Sequence, residues 1–348
     1  MFSFLKKVLL PFSYLYMFIM AIRNFLYDKK ILKSKSFDVP IVAIGNLSVG
    51  GTGKTPHIEY FIRLFQKKKK IAVVSRGYGR KTRGFFYVEK NSLAANVGDE
   101  PLQIKRHFPE ITVAVCEKRT VAIRNLMEAT EKPQLILLDD AFQHRAVRAN
   151  CYVLLTTYQQ RFTNDFVLPY GRLRESRKGY RRADVIIVTK CPLSISKKEK
   201  QEIVAEIAPF SHQKVFFSFL KYGDAFLLNQ KDKKLVWQEN LSILLVCAIA
   251  KPKVLEDFLK EKTQHVAVLS FSDHHFFTEK DIFLIEKHFS AIKNKHKIIV
   301  TTEKDAVRLQ KYQAFFSEKN ISVYVLPIQV FLEQDDEREL LNFLEVFL

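Results

Sequence analysis

The stretch IVAIGNLSVGGTGKTP, residues Ile41–Pro56, decides the fold. A short apolar run ends in a glycine and an asparagine, which predicts a buried strand of a parallel sheet. A loop with paired glycines follows, and a helical pattern begins at Pro56. Glycines let backbone amides surround phosphate oxygens, and the following helix directs its positive end at them. This order of strand, loop and helix therefore predicts nucleotide binding.

The loop departs from the strict phosphate-loop pattern at one position, where Ser48 replaces a glycine. Its chemistry is otherwise retained, since Lys54 would reach the β- and γ-phosphates and Thr55 would bind Mg²⁺ through its hydroxyl. Lys54 is accordingly also a candidate catalytic residue. The predicted nucleotide-binding residues are Ser48, Val49, Gly50, Gly51, Thr52, Gly53, Lys54 and Thr55.

Similar apolar runs continue along the chain and alternate with helical patterns. Strands alternating with helices predict an α/β fold with a doubly wound parallel sheet covered on both faces. The predicted strands are IAVVS (Ile71–Ser75), ITVAV (Ile111–Val115), LILLDD (Leu135–Asp140), CYVLLT (Cys151–Thr156) and DVIIVTK (Asp184–Lys190). The helical patterns include Pro56–Lys67 and Lys118–Ala129.

The pattern changes near residue 214, where KVFFSFLKYGDAFLLN carries a Gly-Asp pair between two apolar runs. Such a pair predicts a hairpin, which would link two domains. Four later apolar runs predict a second, smaller α/β domain. The predicted organisation is a membrane-interface helix at 1–27, a nucleotide-binding core at 28–213, a hairpin linker at 214–235 and the smaller domain at 236–348.

The first 35 residues are rich in apolar and aromatic side chains, with no charge from Val8 to Ile22 and basic residues on both sides. No small-residue cleavage site follows, so the segment does not fit a signal peptide. A multi-span membrane protein is excluded, since each span needs about 20 apolar residues. A helix in the membrane interface, with its lysines on anionic lipid, fits best. The alternatives are a helix packed on the protein's own core and a single span.

Composition narrows the partner classes. The chain has 348 residues, 47% of them hydrophobic and 27% charged, which excludes wholesale disorder. A net charge of +19 favours an anionic partner, although lysine richness of the genome explains it equally well. The basic residues are scattered without a recognised RNA or DNA motif, which argues against nucleic acid. Four widely spaced cysteines without a C-x-x-C pair indicate a reducing compartment.

A second element of the phosphate site is expected at LILLDD, where Asp139 and Asp140 close a predicted strand. A carboxylate that organises Mg²⁺ belongs at such a strand end, and a helix N-cap is the alternative. These features predict phosphate transfer or hydrolysis without naming an acceptor. Thr189-Lys190 resembles a guanine-reading motif, but Pro192 stands where its acid belongs, so GTP specificity is not supported.

Six further motifs occur in a definite order: SRGYGRK (Ser75–Lys81), VGDEP (Val97–Pro101), DDAFQHR (Asp139–Arg145), LPYGRLRES (Leu168–Ser176), FSDHHF (Phe271–Phe276) and TTEKDAVR (Thr301–Arg308). With the loop, they closely resemble the tetraacyldisaccharide 4'-kinase family of lipid A biosynthesis. The family often has a glycine-rich turn where this chain has Cys247–Pro252. That departure concerns backbone geometry in the second domain and not the reaction.

The resemblance implies a membrane-surface kinase that uses ATP and Mg²⁺. It would transfer the γ-phosphate to the 4'-hydroxyl of a tetraacylated glucosamine disaccharide 1-phosphate, a lipid at the cytoplasmic face of the bacterial inner membrane. Asp99 of the GDEP sequence would be the general base, and His274 of the second domain would orient it. Read alone, Asp99 is more typical of a turn, and His274 beside His275 is more typical of a surface pair or an incidental metal site. The alternative function is a membrane-associated ATPase or GTPase switch or maturation factor.

The remaining candidates lie at predicted strand ends. Arg76 and Tyr78 of SRGYG would bind phosphate or hydroxyl groups of the substrate. Gln143 and His144 follow the acidic pair and would contact phosphate. Glu175 would help to hold Mg²⁺, so that the predicted metal ligands are Thr55, Asp139, Asp140 and Glu175. For the arginines beside Glu175, a solvated basic loop is the alternative.

Overall fold

A computed structural model describes residues 8–249, 252–272 and 275–348. Its strands are β1 (Ile41–Asn46), β2 (Ile71–Ser75), β3 (Phe86–Tyr87), β4 (Thr112–Val115), β5 (Leu135–Asp139), β6 (Cys151–Thr157), β7 (Val185–Cys191), β8 (Lys214–Tyr222), β9 (Phe226–Leu227), β10 (Gln230–Lys234), β11 (Ser242–Cys247), β12 (His265–Ser270), β13 (Lys297–Thr302), β14 (Val323–Leu326) and β15 (Ile328–Phe331).

The α-helices, in the same order, are α1 (Leu10–Asp28), α2 (Lys54–Phe65), α3 (Ala94–Val97), α4 (Asp99–His107), α5 (Arg119–Glu128), α6 (Lys197–Ile207), α7 (Pro252–Lys260), α8 (Glu279–Ala291), α9 (Glu303–Leu309), α10 (Gln313–Glu318) and α11 (Gln334–Glu345). Short 3₁₀ helices lie at Phe162–Asn164, Arg177–Arg182 and Gln310–Tyr312.

The chain divides into two compact units, of which the first comprises the described part of Met1–Leu220 together with Val330–Leu348. Its sheet has the order β15-β8-β7-β6-β1-β5-β2-β4-β3. All strands from β8 to β4 are parallel, and β3 pairs antiparallel with β4 at the edge. Apolar residues of β1, β2 and β5 pack with Ile123 and Leu126 of α5. The predicted doubly wound parallel sheet is confirmed.

Strand β1 lies at the centre of this sheet, and all six of its residues are buried. It pairs with β5 on one side and with β6 on the other, so that Ile44 lies beside Asp139 and Asn46 beside Leu155. Strand β2 follows β5. In open parallel sheets, ligands bind beyond the carboxyl ends of the strands where the strand order reverses. The ends of β1, β5 and β2 are therefore the expected place for a site.

The second unit, Lys221–Gln329, has its own sheet of order β10-β9-β14-β13-β11-β12. Strands β12, β11, β13 and β14 are parallel, and β9 and β10 add an antiparallel edge. The TTEKD sequence has a structural role here. Asp305 is fully buried and accepts hydrogen bonds from the Ala248 amide (2.9 Å) and the Thr302 hydroxyl (2.8 Å). It thereby fixes the end of β11.

The unit boundaries differ from the expected ones in two places. The first is β8, which is a parallel neighbour of β7 in the first sheet, whereas the hairpin is formed by β9 and β10. The second is α11, which returns to the first unit: Tyr60 donates to Glu337 (2.8 Å) and Lys69 to the Leu348 carbonyl (3.0 Å). An apolar run looks alike in a hairpin arm and in a buried parallel strand, because the partner strand leaves no local signal.

Helix α1 has an unusual distribution of side chains. Its polar residues contact the rest of the first unit: the Ser13 hydroxyl accepts from the Tyr170 amide (2.8 Å), and Tyr16 donates to the Arg174 carbonyl (2.9 Å). Six of its large apolar residues are instead exposed, namely Phe12, Leu15, Phe18, Ile19, Ile22 and Phe25, whereas Tyr16 and Met17 pack against the core of the first unit. Residues 1–7 of the predicted interface helix lie outside the described residues. A span across a bilayer would need a longer or more apolar helix than any in the described part of the chain.

A substitution at Gly45 would test how closely β1 packs against the segment that follows β5. A Cβ atom at this position would lie 2.8 Å from Cβ of Phe142 and 2.9 Å from its amide nitrogen. We expect Gly45→Ala to destabilise the fold by about 1–3 kcal/mol, as overpacking of a core does. Thermal unfolding followed by circular dichroism should show a melting temperature lowered by about 2–4 °C per kcal/mol.

Gly51→Ala is the matched control, because a Cβ atom on Gly51 would meet only Lys190 Nζ among the described residues, at 4.0 Å. Equal melting temperatures for the two variants would contradict the close packing of β1.

Candidate active site

The glycine-rich loop occupies the carboxyl end of β1, and α2 begins at Lys54. Gly50 (φ +108°) and Gly53 (φ +89°) have left-handed backbone conformations that favour glycine. Asn46, the last residue of β1, donates from Nδ2 to the Thr52 hydroxyl (2.8 Å) inside the loop. The predicted loop therefore has the strand, turn and helix that phosphate binding requires.

The GRLRES sequence lies against this loop. The Val49 amide donates to the Arg172 carbonyl (2.8 Å), and the Arg174 amide donates to the Leu47 carbonyl (2.7 Å). Arg174 Nη1 also donates to the two carboxylate oxygens of Asp140, at 2.9 and 3.0 Å. Lys54 Nζ is 3.8 Å from the same carboxylate. Two cations thus meet Asp140 beside the loop.

Asp139 is almost fully buried, and its two carboxylate oxygens have different surroundings. Oδ2 accepts a hydrogen bond from the Ser75 hydroxyl (2.9 Å), whereas Oδ1 is buried without a hydrogen-bond partner in the described part of the chain. Burial, followed by the charges of Glu100 and Asp140, raises the pKa of Asp139 to about 7. A buried carboxylate with one unsatisfied oxygen fits a cation.

The described residues contain no group of three or more acidic, histidine or cysteine side chains arranged to hold a metal ion. Mg²⁺ in nucleotide sites usually takes one or two carboxylates together with phosphate oxygens and water. Asp139 and Asp140, with the buried Thr55 at the start of α2, are compatible with such a partial set. These residues therefore fit a magnesium ion that a nucleotide brings with it.

Glu175 belongs to a different arrangement. Its carboxylate accepts hydrogen bonds from Asn24 of α1 (2.9 Å), from Gln143 (3.0 Å) and from Arg182 (2.8 Å). The side-chain amide of Gln143 also donates from Nε2 to the Asn46 backbone carbonyl (2.8 Å) at the start of the loop. The structure thus joins Glu175 and Gln143 in a network between α1 and the loop, and it does not group Glu175 with the aspartates.

The SRGYG and VGDEP loops approach each other through two glycines. Gly77 (φ +68°) and Gly98 (φ +91°) have left-handed conformations, and a Cβ on Gly98 would lie 3.1 Å from the Gly77 Cα. Asp99 follows Gly98, is buried and begins α4. Arg76 and Tyr78, on either side of Gly77, are exposed. The structure therefore brings the predicted base and two predicted substrate residues into neighbouring loops.

His144 lies in a positively charged environment. Burial first, and then the charges of Arg119, Arg23 and Arg76, lower the pKa of His144 to about 4. Its Nε2 atom is buried and has no hydrogen-bond partner in the ranges that the structure describes. Arg119 is buried at the start of α5 and donates to the Asp139 carbonyl (3.2 Å). A neutral imidazole among three guanidinium groups is suited to an anionic ligand.

Arg23 and Arg119 lie outside the sequence motifs, and Glu100 lies inside VGDEP without a role predicted for it. The sequence does offer one indication of Arg119, because this charged residue begins a helix that follows a strand of a parallel sheet. Arg23 had none, because its contact with the Gln143 carbonyl (3.0 Å) depends on where α1 packs. His274, the predicted partner of Asp99, lies outside the described residues.

Lys54 and Asp140 face each other where the loop opens at the carboxyl end of β1, and Asp139 lies beside them. Phosphoryl transfer depends on positioning and on charges held ready for the transferring group, and this arrangement provides both. The fold and the loop therefore define a phosphate-loop phosphotransferase.

Comparisons with known proteins identify the family. The family described as "Tetraacyldisaccharide-1-P 4'-kinase" matches residues 5–345. Two relatives named tetraacyldisaccharide 4'-kinase are similar to nearly the whole chain. The one from Flavobacterium psychrophilum is 46% identical over 99% of this chain and 98% of its own. The one from Bacteroides thetaiotaomicron is 41% identical over 96% and 90%.

Among solved structures, LpxK from Aquifex aeolicus in complex with ATP is similar, with a TM-score of 0.76 and 29% identity over 99% of both chains. The chain therefore belongs to the tetraacyldisaccharide 4'-kinase family. It is an ATP-dependent kinase of lipid A biosynthesis that phosphorylates the 4' position of the disaccharide. The alternative of an ATPase or GTPase switch is not supported.

The raised pKa of Asp139 predicts a pH dependence of stability. Between about pH 4 and pH 7 the folded protein binds this proton more tightly than the unfolded chain, so stability falls as the pH rises through that range. Asp139→Asn should remove this contribution. In thermal melts without nucleotide, we expect the variant to unfold at a higher temperature than the wild type at pH 8, and the difference to shrink toward pH 5.

Asp38→Asn, at an exposed aspartate, is the control for a simple change in net charge. A difference between wild type and Asp139→Asn that stays constant from pH 5 to pH 8 would contradict the burial of this charge.

Proposed function

We propose that the active site lies at the carboxyl ends of β1, β5 and β2, and that Ser48–Thr55 bind the triphosphate of ATP. The proposal rests on the ion pair between Lys54 Nζ and the Asp140 carboxylate, which lie 3.8 Å apart beside the glycine-rich loop. The loop's backbone amides and the positive end of the 12-residue helix α2 attract phosphate. In this arrangement Lys54 leaves Asp140 and contacts the β- and γ-phosphates when nucleotide binds.

We further propose that Thr55, Asp139 and Asp140 hold Mg²⁺. When bound, the ion would neutralise negative charge on the β- and γ-phosphates. The unsatisfied oxygen of Asp139 supports this assignment. Glu175 already accepts three hydrogen bonds, so we assign it to the framework that supports the loop.

Asp99 is the proposed general base. Its carboxylate takes the proton of the 4'-hydroxyl as that oxygen forms a bond to the γ-phosphorus. The bond between the γ-phosphorus and the oxygen that bridges it to the β-phosphate breaks. The electron pair of that bond stays on the oxygen, which leaves as part of ADP. Burial of Asp99 at the start of α4, next to the loop that carries Arg76, supports this role.

The acceptor is proposed to bind beside Asp99 through Arg76, Tyr78 and His144. His144 stays neutral near physiological pH, since its pKa is about 4. Its N–H can therefore donate to a phosphate or sugar oxygen, and its other ring nitrogen can accept from a sugar hydroxyl. The guanidinium groups around it favour a phosphorylated ligand. Gln143 holds this segment to the loop through the Asn46 carbonyl.

The acceptor reaches this site from a membrane, and we propose that α1 lies in the membrane interface. Six of its large apolar side chains are exposed, while Ser13, Tyr16 and Met17 contact the rest of the first unit, so that the helix presents an apolar face suited to lipid. A net charge of +19 suits a surface of anionic lipid. Because ATP is cytoplasmic, the cytoplasmic face of the bacterial inner membrane is the proposed location.

The general-base proposal predicts the effect of Asp99→Asn, which keeps the shape of the side chain. We expect kcat to fall by about 10²–10⁴-fold, the usual contribution of a general base, with the affinity for ATP unchanged. The measurement is transfer of labelled phosphate from ATP to a disaccharide 1-phosphate in detergent.

Lys54→Ala is the comparison, and it should lose ATP binding as well as turnover. A normal kcat for Asp99→Asn would refute the base, whereas normal ATP binding by Lys54→Ala would refute the loop assignment.

The membrane proposal predicts the effect of replacing Phe18 and Ile22 together by serine. Both side chains are exposed on α1, and their loss should weaken sedimentation with anionic vesicles by about tenfold or more. Added salt should weaken binding of the wild type as well. Ser13→Ala, on the side of α1 that contacts the first unit, is the control and should bind vesicles normally. Undiminished binding by the double variant would show that α1 is not the membrane contact.

A further inference from the structure

We propose that Thr189, Lys190 and His57 position the phosphate loop by holding three consecutive carbonyl groups on its outer side. The inference rests on the proposed role of the loop in binding ATP. Lys190 Nζ donates to the Gly51 carbonyl (2.7 Å), Thr189 Oγ1 to the Thr52 carbonyl (2.9 Å) and His57 Nδ1 to the Gly53 carbonyl (2.7 Å). We call these three residues the carbonyl belt.

The belt acts through the geometry of the peptide bond. In a planar trans peptide, the carbonyl of one residue and the amide of the next point in opposite directions. Holding the carbonyls of Gly51, Thr52 and Gly53 outward therefore turns the following amides, including that of Lys54, to the opposite side. Amides that already face the phosphate need no reorientation when the nucleotide binds, and such preorganisation strengthens binding.

The end of β7 is shaped for this role. Successive side chains of a regular strand point to opposite faces, yet Thr189 and Lys190 both reach the same loop. The left-handed conformation of Lys190 (φ +59°) breaks the alternation. Such a conformation is uncommon for a residue other than glycine, and it persists where surrounding contacts determine it. The carbonyl hydrogen bonds are contacts of that kind.

His57 connects the belt to the neighbouring part of the sheet. Its Nδ1 atom faces a carbonyl and therefore carries the proton, so its Nε2 atom accepts a hydrogen bond from the Ser218 hydroxyl (2.9 Å) of β8. Both residues are fully or almost fully buried. A buried imidazole with two satisfied nitrogens has a fixed orientation, which fixes the Gly53 carbonyl in turn.

The carbonyl belt also assigns a role to Thr189-Lys190, the dipeptide that resembles a guanine-reading motif without its acidic residue. In this chain the pair contacts the loop backbone through both side chains. The inferred function is positioning of the phosphate-binding amides, and it requires no contact with the base. Substitution of the pair should therefore affect ATP and GTP to the same extent.

The decisive experiment compares Thr189→Val with Thr189→Ser in the full-length protein in detergent with Mg²⁺. Valine keeps the volume but loses the donor, and serine keeps the donor. We expect Thr189→Val to raise the KM and Kd for ATP by about threefold to tenfold, the range for one hydrogen bond, with little change in kcat or in the KM for the lipid. Thr189→Ser should return the Kd to within about twofold of the wild type.

A spectroscopic readout separates positioning from general stability. The chain contains only 11 glycines, so labelling with ¹⁵N-glycine gives a simple amide spectrum. The Gly53 amide follows the Thr52 carbonyl, and its resonance should shift in Thr189→Val and not in Thr189→Ser. Unchanged Gly53 resonance and ATP affinity in Thr189→Val would overturn the proposal, as would equal defects in the valine and serine variants.

Lys190 provides a second test, because it is exposed and its replacement leaves the core intact. We expect Lys190→Met to raise the Kd for ATP at both low and high salt, since a lost positioning contact is not screened by ions. A defect that disappears at high salt would overturn the positioning role. If Lys54→Ala loses ATP binding while Thr189→Val and Lys190→Met bind normally, the belt is refuted and the loop assignment stands. Normal binding by Lys54→Ala would instead refute the proposed nucleotide site itself.

Discussion

The backbone conformation of the loop between β1 and α2 is the constraint on which the rest of the first unit depends. Gly50 and Gly53 allow left-handed conformations, and the buried strand β1 fixes where the loop begins. A flexible glycine-rich segment loses much entropy when it is ordered, so its shape has to be imposed by its neighbours. Those neighbours are the segment 172–174 on one side and the end of β7 on another.

The loop also lies beside a cluster of charged side chains at the carboxyl end of β5. Asp139 and Asp140 place two carboxylates at the carboxyl end of β5, where Lys54 and Arg174 both contact Asp140. Burial raises the pKa of Asp139 to about 7, so its carboxylate is ionised more readily when a cation is near. A metal ion that arrives with a nucleotide would favour the ionised form of this carboxylate.

The sequence predicts the parts of the fold that local patterns determine. The bounds of β1 and β2 agree with the prediction, because apolar runs between turn residues mark buried parallel strands. Partner choice is not local, so the place of β8 in the first sheet and the return of α11 could not be predicted. The same holds for the site. The loop and the aspartate pair follow from motifs, but the network of Glu175 depends on how α1 packs, which no motif records.

That network gives α1 a physical link to the phosphate loop. Asn24 of α1 donates to Glu175, Gln143 donates to the same carboxylate, and the Gln143 amide also reaches the Asn46 carbonyl at the end of β1. Each of these groups is buried or partly buried, so breaking one contact leaves an unsatisfied polar partner. Because Asn24 belongs to this network, α1 cannot shift without disturbing the residues that support the loop. Helix α1 and the start of the phosphate loop are therefore parts of one hydrogen-bonded unit.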